Sequence, residues 1–84
     1  MYEIYIESSA EKDLRKIPDA SFKTIITKIK SLADNPRPIG CIKLKDSVKF
    51  WRVRIGNYRV VYEIDDSSKN IRIYKIKHRK DVYR

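Results

Sequence analysis

The residues of this chain best suited to chemistry are four arginines, one histidine and one tyrosine: Arg52, Arg54, Arg59, His78, Arg79 and Tyr83. Arginine presents a planar fork of donors that grips phosphate bidentately and also stacks on bases. Tyrosine stacks on an exposed base, a contact typically worth about 1–3 kcal/mol. Such a set suits single-stranded nucleic acid.

The same residues could cleave RNA without a metal ion, because the 2′-hydroxyl of RNA is an internal nucleophile. The protein then has to align that hydroxyl, absorb charge on the phosphorane and move two protons. Arginine performs the second task well, but a pKa above about 12 makes it a poor general base. Proton transfer would therefore need help from His78, Tyr83 or a lysine such as Lys77 or Lys80.

Other catalytic constellations are missing from the sequence. It holds no Ser/His/Asp triad, no well-placed carboxylate pair, no glycine-rich phosphate loop and no cluster with metal-ligand spacing. His78 is the single histidine, so we expect neither a metal site nor a cofactor. The single cysteine, Cys41, is predicted to be a semi-buried apolar residue.

The run WRVRIGNYRVVY, residues 51–62, is expected to bring three of the arginines onto one surface. Its apolar residues alternate with Arg52 and Arg54, which is the period-2 pattern of a strand with one apolar face. The Gly-Asn pair that follows signals a two-residue hairpin loop, which would place Arg59 opposite Arg54. The residues expected to face the core are Trp51, Val53, Ile55, Tyr58, Val60 and Tyr62.

Like charges directly opposite one another in a sheet cost about 0.2–1 kcal/mol. We therefore interpret this arginine surface as one that meets an anion; the alternative is that it is simply the solvated side of a half-exposed sheet. The distribution of charge favours the first interpretation. Residues 1–40 hold seven Lys/Arg against six Asp/Glu, whereas residues 41–84 hold thirteen against five, within a net charge of +9.

The order of predicted elements is strand, helix, helix and then a three-stranded antiparallel meander, a two-layer α+β domain that spans residues 1–84. Tyr2–Ile6 alternates as a strand. Ser8 is the expected N-cap of the first helix, with Glu11 completing a capping box, and Asp19 is the expected N-cap of the second. The stripe predicted for the second helix comprises Phe22, Ile25, Ile26, Ile29, Leu32 and Ala33.

The remaining segments are less regular in pattern. A connector is predicted over residues 39–48, and the last strand over residues 71–77. In that strand Ile71 and Ile73 are out of phase with Ile76, so the pattern does not decide which face of the strand is buried. No apolar run approaches the roughly 18 residues of a membrane span, and the N-terminal residues do not open a signal peptide, so the expected compartment is the cytoplasm.

The run KLKDSVKFWRVRIGNYRVVYEI, followed by a last strand and HRKDVY, resembles the RelE branch of the RelE/ParE toxin superfamily. The resemblance implies a RelE-like fold and the toxin of a type II toxin–antitoxin pair. It further implies a ribosome-dependent endoribonuclease that cuts mRNA in the ribosomal A site and inhibits translation. The products would carry a 2′,3′-cyclic phosphate and a 5′-hydroxyl.

The resemblance also assigns roles to individual residues. Arg52 and Arg54 match two basic strand residues that are lysines in studied relatives, and Arg59 matches the arginine that stabilises the transition state. Arg79 matches an arginine assigned as acid or phosphate clamp, and Tyr83 a terminal tyrosine that positions the mRNA base. His78 is the candidate proton donor. The lysines expected to contact RNA or the ribosome are Lys43, Lys45, Lys49, Lys77 and Lys80.

Two alternatives stay open at this point. The fold could act without RNA cleavage, as ParE-type relatives do when they inhibit DNA gyrase. It could also be an inactive, basic nucleic-acid-binding relative. In each version the resemblance implies a cognate antitoxin that holds the protein inactive through a helix or strand, with acidic residues opposite the basic half of the chain.

Overall fold

The structure is a computed structural model that describes residues 1–45 and 49–82, and it has the predicted α+β architecture. Two helices lie on one face of a mostly antiparallel sheet. In chain order the elements are β1 (Glu3–Ile6), α1 (Ser8–Arg15), α2 (Asp19–Ser31), β2 (Ile42–Lys43), β3 (Phe50–Ile55), β4 (Tyr58–Asp65), β5 (Asn70–His78) and α3 (Arg79–Val82).

The sheet has five strands in the order β1-β5-β4-β3-β2. The predicted antiparallel meander of β3, β4 and β5 forms its centre. β1 adds to β5 in parallel, with Ile4 beside Ile71, and β2 adds to the outer side of β3. β2 lies within the stretch predicted as a connector, whose residues 46–48 are outside the described part of the chain.

The core lies between the helices and the inner face of the sheet, because the apolar residues of both layers point there. α1 packs mainly against β5, and α2 contacts β3. Phe22 is an exception to the predicted stripe, since it is 38% exposed. The buried residues include Ala10, Leu14, Ile25, Ile29, Leu32, Val53, Ile55, Val60, Tyr62, Ile64, Ile71, Ile73 and Ile76.

Both main helices begin one residue earlier than predicted. Glu7, not Ser8, is the N-cap of α1, and Pro18, not Asp19, is the N-cap of α2; neither makes a side-chain capping bond. The Glu7 N–H donates to the carbonyl of Ile73 at 3.0 Å, which holds Glu7 extended against the sheet until the helix begins. Pro18 has a fixed φ of −57° and needs no N–H partner, so it suits an extended cap position.

A β-bulge explains why the apolar residues of β5 do not follow a strict alternation. The register between β4 and β5 shifts between Val61 and Tyr62, which leaves Tyr74 as an extra residue on β5. An extra residue reverses the alternation of side chains between the two faces. Ile73 and Ile76 are therefore both buried although their spacing is odd.

The segment between α2 and β2 is fastened to the inner side of the sheet. The buried Tyr62 hydroxyl donates to the carbonyl of Pro36 at 2.8 Å, and burial raises the pKa of Tyr62 well above its usual value. Cys41 packs partly buried against the core, as predicted. None of the helices in residues 1–45 and 49–82 is both long and apolar enough to cross a membrane.

Candidate functional site

The arginines of β3 and β4 share the sheet face that points away from the helices, which we call the arginine face. The β3–β4 hairpin has the predicted register, in which Arg54 is opposite Arg59 and Arg52 is opposite Val61. The turn is tight because Gly56 has a φ of +59°, a value that residues with a side chain rarely adopt. Local sequence therefore determines this arrangement.

Two adjoining cavities open on the arginine face. A cavity of about 80 Å³ is lined by Arg54, Arg59 and Arg79 together with Asn57 and Tyr58. A second cavity, of about 190 Å³, is lined by Gly40, Ile42, Arg52, Arg54 and Arg59. Arg54 and Arg59 line both cavities, so all four predicted arginines border one continuous cationic surface.

Three of the guanidinium groups on this surface, those of Arg52, Arg54 and Arg79, have no carboxylate partner among the described residues. The Arg54 Nε–H donates to the carbonyl of Gly56 at 3.0 Å, which leaves its terminal nitrogens for other acceptors. Positive charge that is held in place and not neutralised from within is what an anion site requires.

Backbone bonding brings Arg79 to the hairpin. The Arg79 N–H, at the start of α3, donates to the carbonyl of Asn57 in the β3–β4 turn at 2.7 Å. This contact joins the end of β5 to the loop that separates Arg54 from Arg59. Sequence patterns predicted neither this contact nor the cavity-lining positions of Asn57 and Tyr58, because a backbone acceptor in a turn has no composition signal and the phase of Tyr58 indicated a core residue.

His78 lies on the other side of Tyr58 from the arginine cavities. It is the register partner of Tyr58, and the two rings contact edge to face, with centroids 5.1 Å apart. The cavity that His78 lines, of about 210 Å³, also contains Asp13, Lys16 and Tyr58. The Lys80 N–H donates to His78 Nδ1 at 3.2 Å, so in this arrangement the ring proton is assigned to Nε2.

The predicted lysines are spread over several surfaces. Lys77 is the register partner of Arg59, but its Nζ pairs with Asp13 Oδ1 at 3.1 Å. Lys43 is the register partner of Trp51 and so projects from the opposite face. Three of the predicted lysines have exposed side chains and lie outside the strands: Lys45, Lys49 and Lys80. Tyr83 lies outside the described residues, and the roles proposed for all these side chains stay predictions.

A fifth arginine, Arg37, which was not singled out from the sequence, supports β3 from the helix side. The Arg37 guanidinium lies 5.0 Å from the Trp51 ring centroid, and its Nη2 pairs with Asp66 Oδ2 at 2.8 Å. Asp66 also accepts a hydrogen bond from the Tyr2 hydroxyl. These hydrogen bonds, that of Arg37 first, lower the pKa of Asp66. Because Trp51 directly precedes Arg52, this contact helps to fix where the arginine face begins.

A metal-ligand cluster is not found among the residues described: no group of three His, Cys, Asp or Glu side chains comes together in residues 1–45 and 49–82. The side chains that line the cavities of the arginine face are cationic donors and an aromatic ring, and lysine and imidazole groups lie nearby. Those groups can bind phosphate and stabilise negative charge that develops on it.

Comparison with known proteins places this chain and its relatives in one family. The model of the family described as ParE toxin of type II toxin–antitoxin system, parDE, matches residues 4–83. Toxin RelE of Mycobacterium tuberculosis is 31% identical over 84 residues, which cover 99% of this chain and 87% of that protein. Toxin RelG of the same organism is 27% identical and covers 99% of this chain and 97% of its own length.

Solved structures give the same result. The crystal structure of the archaeal RelE–RelB complex from Pyrococcus horikoshii matches with a TM-score of 0.83 and 30% identity, over 93% of this chain and 94% of that one. The isolated RelE toxin of Escherichia coli matches with a TM-score of 0.81 and 21% identity, over 99% of this chain and 92% of that one. At this identity the match shows only that the two proteins share a fold.

Proposed function

Since the chain belongs to the RelE branch of the ParE toxin family of type II toxin–antitoxin systems, we propose that it is a ribosome-dependent endoribonuclease that cuts mRNA in the ribosomal A site. The 2′-hydroxyl attacks the adjacent phosphorus and the 5′-oxygen of the next nucleotide leaves. The products are a 2′,3′-cyclic phosphate and a 5′-hydroxyl. The reaction uses no metal ion or cofactor and stops translation in the cytoplasm.

One observation carries this proposal: Arg54, Arg59 and Arg79 line a single small cavity, and Arg52 borders the cavity beside it. A phosphate at this position would meet donors from β3, β4 and α3 at once. Arg59 stabilises the additional charge of the phosphorane, because it lines both cavities and lies opposite Arg54. Arg52 and Arg54 hold the phosphate, and Arg79 clamps it from the end of β5.

Proton transfer is assigned to groups around this cavity. His78 is the proposed donor to the leaving oxygen, since its Nε2 carries a proton when Nδ1 accepts from the backbone N–H of Lys80. Tyr83 stacks on the mRNA base and so aligns the 2′-hydroxyl. The role of Tyr83 comes from the family resemblance, whereas that of His78 comes from the need for a group other than arginine to transfer protons. Because His78 lies behind Tyr58, the substrate or the imidazole ring has to approach across that tyrosine.

Binding to the ribosome is assigned to five lysines that lie on several surfaces of the fold: Lys43, Lys45, Lys49, Lys77 and Lys80. Lysines that neutralise phosphates release counterions, so affinity should fall with salt at a log–log slope of about −0.7 per contact on single strands. A net charge of +9 supports a polyanionic target.

The proposed partner that restrains the protein is a cognate antitoxin. Structures similar to this chain include complexes named RelBE and RelE–RelB. Acidic residues on the antitoxin would neutralise the basic half of this chain. Co-purification with the product of the neighbouring gene tests this point, and a failure of the two proteins to associate would contradict it.

The experiment that tests the nuclease is cleavage of mRNA on ribosomes with a defined codon in the A site, followed by analysis of the RNA ends. The expected products end in a 2′,3′-cyclic phosphate and a 5′-hydroxyl, and the reaction should persist in a chelator. Intact mRNA in the presence of folded protein, or products with 3′-hydroxyl ends, would refute the proposal.

The description of the matching family as ParE toxins of parDE favours one second candidate, inhibition of DNA gyrase without RNA cleavage. The arginine face would then be a protein-binding surface. A supercoiling assay with purified gyrase separates the two, because the nuclease should leave supercoiling unchanged at concentrations that cleave mRNA on ribosomes.

A further inference from the structure

The arginine face continues beyond Arg52 into a patch of aromatic side chains. Phe50 lies two residues before Arg52 on the same side of β3, and Tyr74 lies at the bulge of β5. The two rings meet above β4 in an edge-to-face contact, with centroids 5.2 Å apart and planes at 61°. Both side chains are half-buried. The bulge is what turns Tyr74 toward Phe50.

Two residues of β4 complete this patch. Val61 is opposite Arg52 and Glu63 is opposite Phe50, so both lie on the same face as the rings. Burial raises the pKa of Tyr74, and the neighbouring carboxylates of Glu63 and Glu7 raise it further. We define the base patch as Phe50, Val61, Glu63 and Tyr74.

The two carboxylates differ in how they meet Arg72, which is the register partner of Glu63 on β5. Glu7 pairs with Arg72 at 3.4 Å, and the Arg72 guanidinium also lies 5.0 Å from the Tyr5 ring centroid. Glu63 forms no salt bridge within residues 1–45 and 49–82. An ionised carboxylate offers only acceptor oxygens, so its preferred neighbour is a group rich in N–H donors.

We propose that the base patch is a subsite for the base of the nucleotide next to the phosphate that the arginines hold, and that it selects bases carrying an amino group. Residues two apart on a strand are separated by about 6.6–6.8 Å, which suits a nucleotide whose phosphate lies at Arg52 and whose base lies at Phe50. This inference rests on the proposed function, because it needs a bound RNA strand.

Each part of the base patch has a task in this binding mode. The rings supply a stacking surface, which tolerates any base. The Glu63 carboxylate accepts from the amino groups of adenine, cytosine or guanine. Uracil has no amino group, and its one donor on that edge, N3–H, lies between two carbonyl oxygens whose lone pairs repel the carboxylate. The carboxylate also disfavours phosphate, which keeps the backbone of the RNA on the arginine side.

The experiment measures single-turnover cleavage on ribosomes whose A-site codons place each of the four bases at each position in turn. The proteins are wild type, Tyr74→Ala, Tyr74→Phe and Glu63→Gln, with Tyr5→Ala as a matched control, because Tyr5 is on the same face but beside Arg72. Tyr74→Ala should slow cleavage roughly ten- to hundred-fold. Tyr74→Phe, which keeps the ring, and Tyr5→Ala should cleave like wild type.

Glu63→Gln decides the question of selectivity, because an amide offers both a donor and an acceptor in the same shape. The rate ratio between amino-bearing bases and uracil at one codon position should fall about ten-fold in this variant. If wild type cleaves and both Glu63→Gln and Tyr74→Ala keep its rate and base preference, the base patch is overturned while the nuclease stands.

Two further outcomes separate the inference from its alternatives. If wild-type protein does not cleave, the proposed function fails and the subsite fails with it. If Tyr74→Ala and Glu63→Gln leave cleavage unchanged but weaken binding to the antitoxin, the patch is a protein-binding surface and the inference is wrong. Circular dichroism and thermal unfolding of each variant identify losses of activity that come from misfolding. If Tyr74→Ala misfolds, the base preference of Glu63→Gln decides whether the base patch is a subsite, with Tyr74→Phe as the folded control.

Discussion

Arg54 and Arg59 lie directly opposite one another across the β3–β4 hairpin, and both side chains line the cavity that Arg79 closes. This position is unfavourable for the free protein, because like charges opposite one another destabilise a sheet. An anion bound between them would remove the repulsion. The site thus combines a small loss of stability with the capacity to hold a phosphate.

Replacement of Arg59 by alanine should abolish most cleavage without unfolding the protein. Loss of one preorganised group that stabilises transition-state charge typically costs about 10²–10³ in rate. The single-turnover rate on programmed ribosomes gives the measurement. Arg15→Ala is the matched control, since Arg15 pairs with Glu11 on an exposed turn of α1, and this variant should retain full activity. Wild-type rates for Arg59→Ala would remove this arginine from the mechanism.

Removal of one charge from the opposed pair should relieve a repulsion that salt also screens. We expect the free energy of unfolding of Arg54→Gln, relative to wild type, to be about 0.2–1 kcal/mol higher at low salt than at high salt, because salt screens the repulsion but not the loss of the Nε–H bond to the Gly56 carbonyl. Urea denaturation at two ionic strengths measures the effect. A double-mutant cycle with Arg59→Gln should show that the salt-dependent effects of the two substitutions are not additive. A stability loss that is independent of salt would show that the arginines do not repel one another.

The decrease in the free energy of unfolding at acidic pH should depend on Asp66. Its pKa is lowered in the folded state by hydrogen bonds from Arg37 and Tyr2. Such a group adds stability above the unfolded Asp pKa of about 3.9, and this contribution is lost as pH falls through the lower folded value. Asp66→Asn should therefore flatten the loss of stability on acidification, measured by urea denaturation from neutral to acidic pH.

Asp34→Asn is the matched control for that prediction, because Asp34 is exposed and its side chain forms no hydrogen bond or ion pair with the rest of the described chain. A residual acid dependence is expected in Asp66→Asn, since hydrogen bonds from Ser67 and Ser68 also lower the pKa of Asp65. If Asp66→Asn loses stability on acidification as steeply as wild type does, the assignment to Asp66 is contradicted.

Asp13 should be needed to protect the free edge of β5. Its Oδ2 accepts from the backbone N–H of Ile76 at 2.9 Å, and its side chain is only 12% exposed. Asp13→Ala leaves that N–H without a partner and should cost about 1–3 kcal/mol. Asp13→Asn keeps an acceptor and should cost less. Thermal and urea unfolding measure both, with Glu11→Ala as a surface control worth at most about 0.5 kcal/mol.

Local patterns predicted the hairpin correctly because its register depends only on neighbouring residues. Alternation places Arg52 and Arg54 on one side, and a Gly-Asn turn allows a single register with Arg59 opposite Arg54. The helices and the meander were also correct, since apolar stripes and a one-faced sheet have one simple way to pack.

Features that depend on distant contacts were missed for an equally physical reason. The bulge at Tyr74 is set by the fit of β5 against β4, and the parallel pairing of β1 with β5 joins segments at opposite ends of the sequence. The start of α1 shifted because the backbone N–H of Glu7 is bonded to the carbonyl of Ile73 on the neighbouring strand. Likewise, strand phase places His78 with Tyr58 on the inner face, although its sequence position adjoins Arg79.

The parallel pairing of β1 with β5 has a consequence for biosynthesis. A growing polypeptide releases β1 early and β5 late, so β1 must wait for its partner while most of the chain is still being made, at about 5–20 residues per second. Contacts this remote in sequence also form slowly. The native sheet is thus completed only after β5 has been synthesised, and β1 stays unpaired until then.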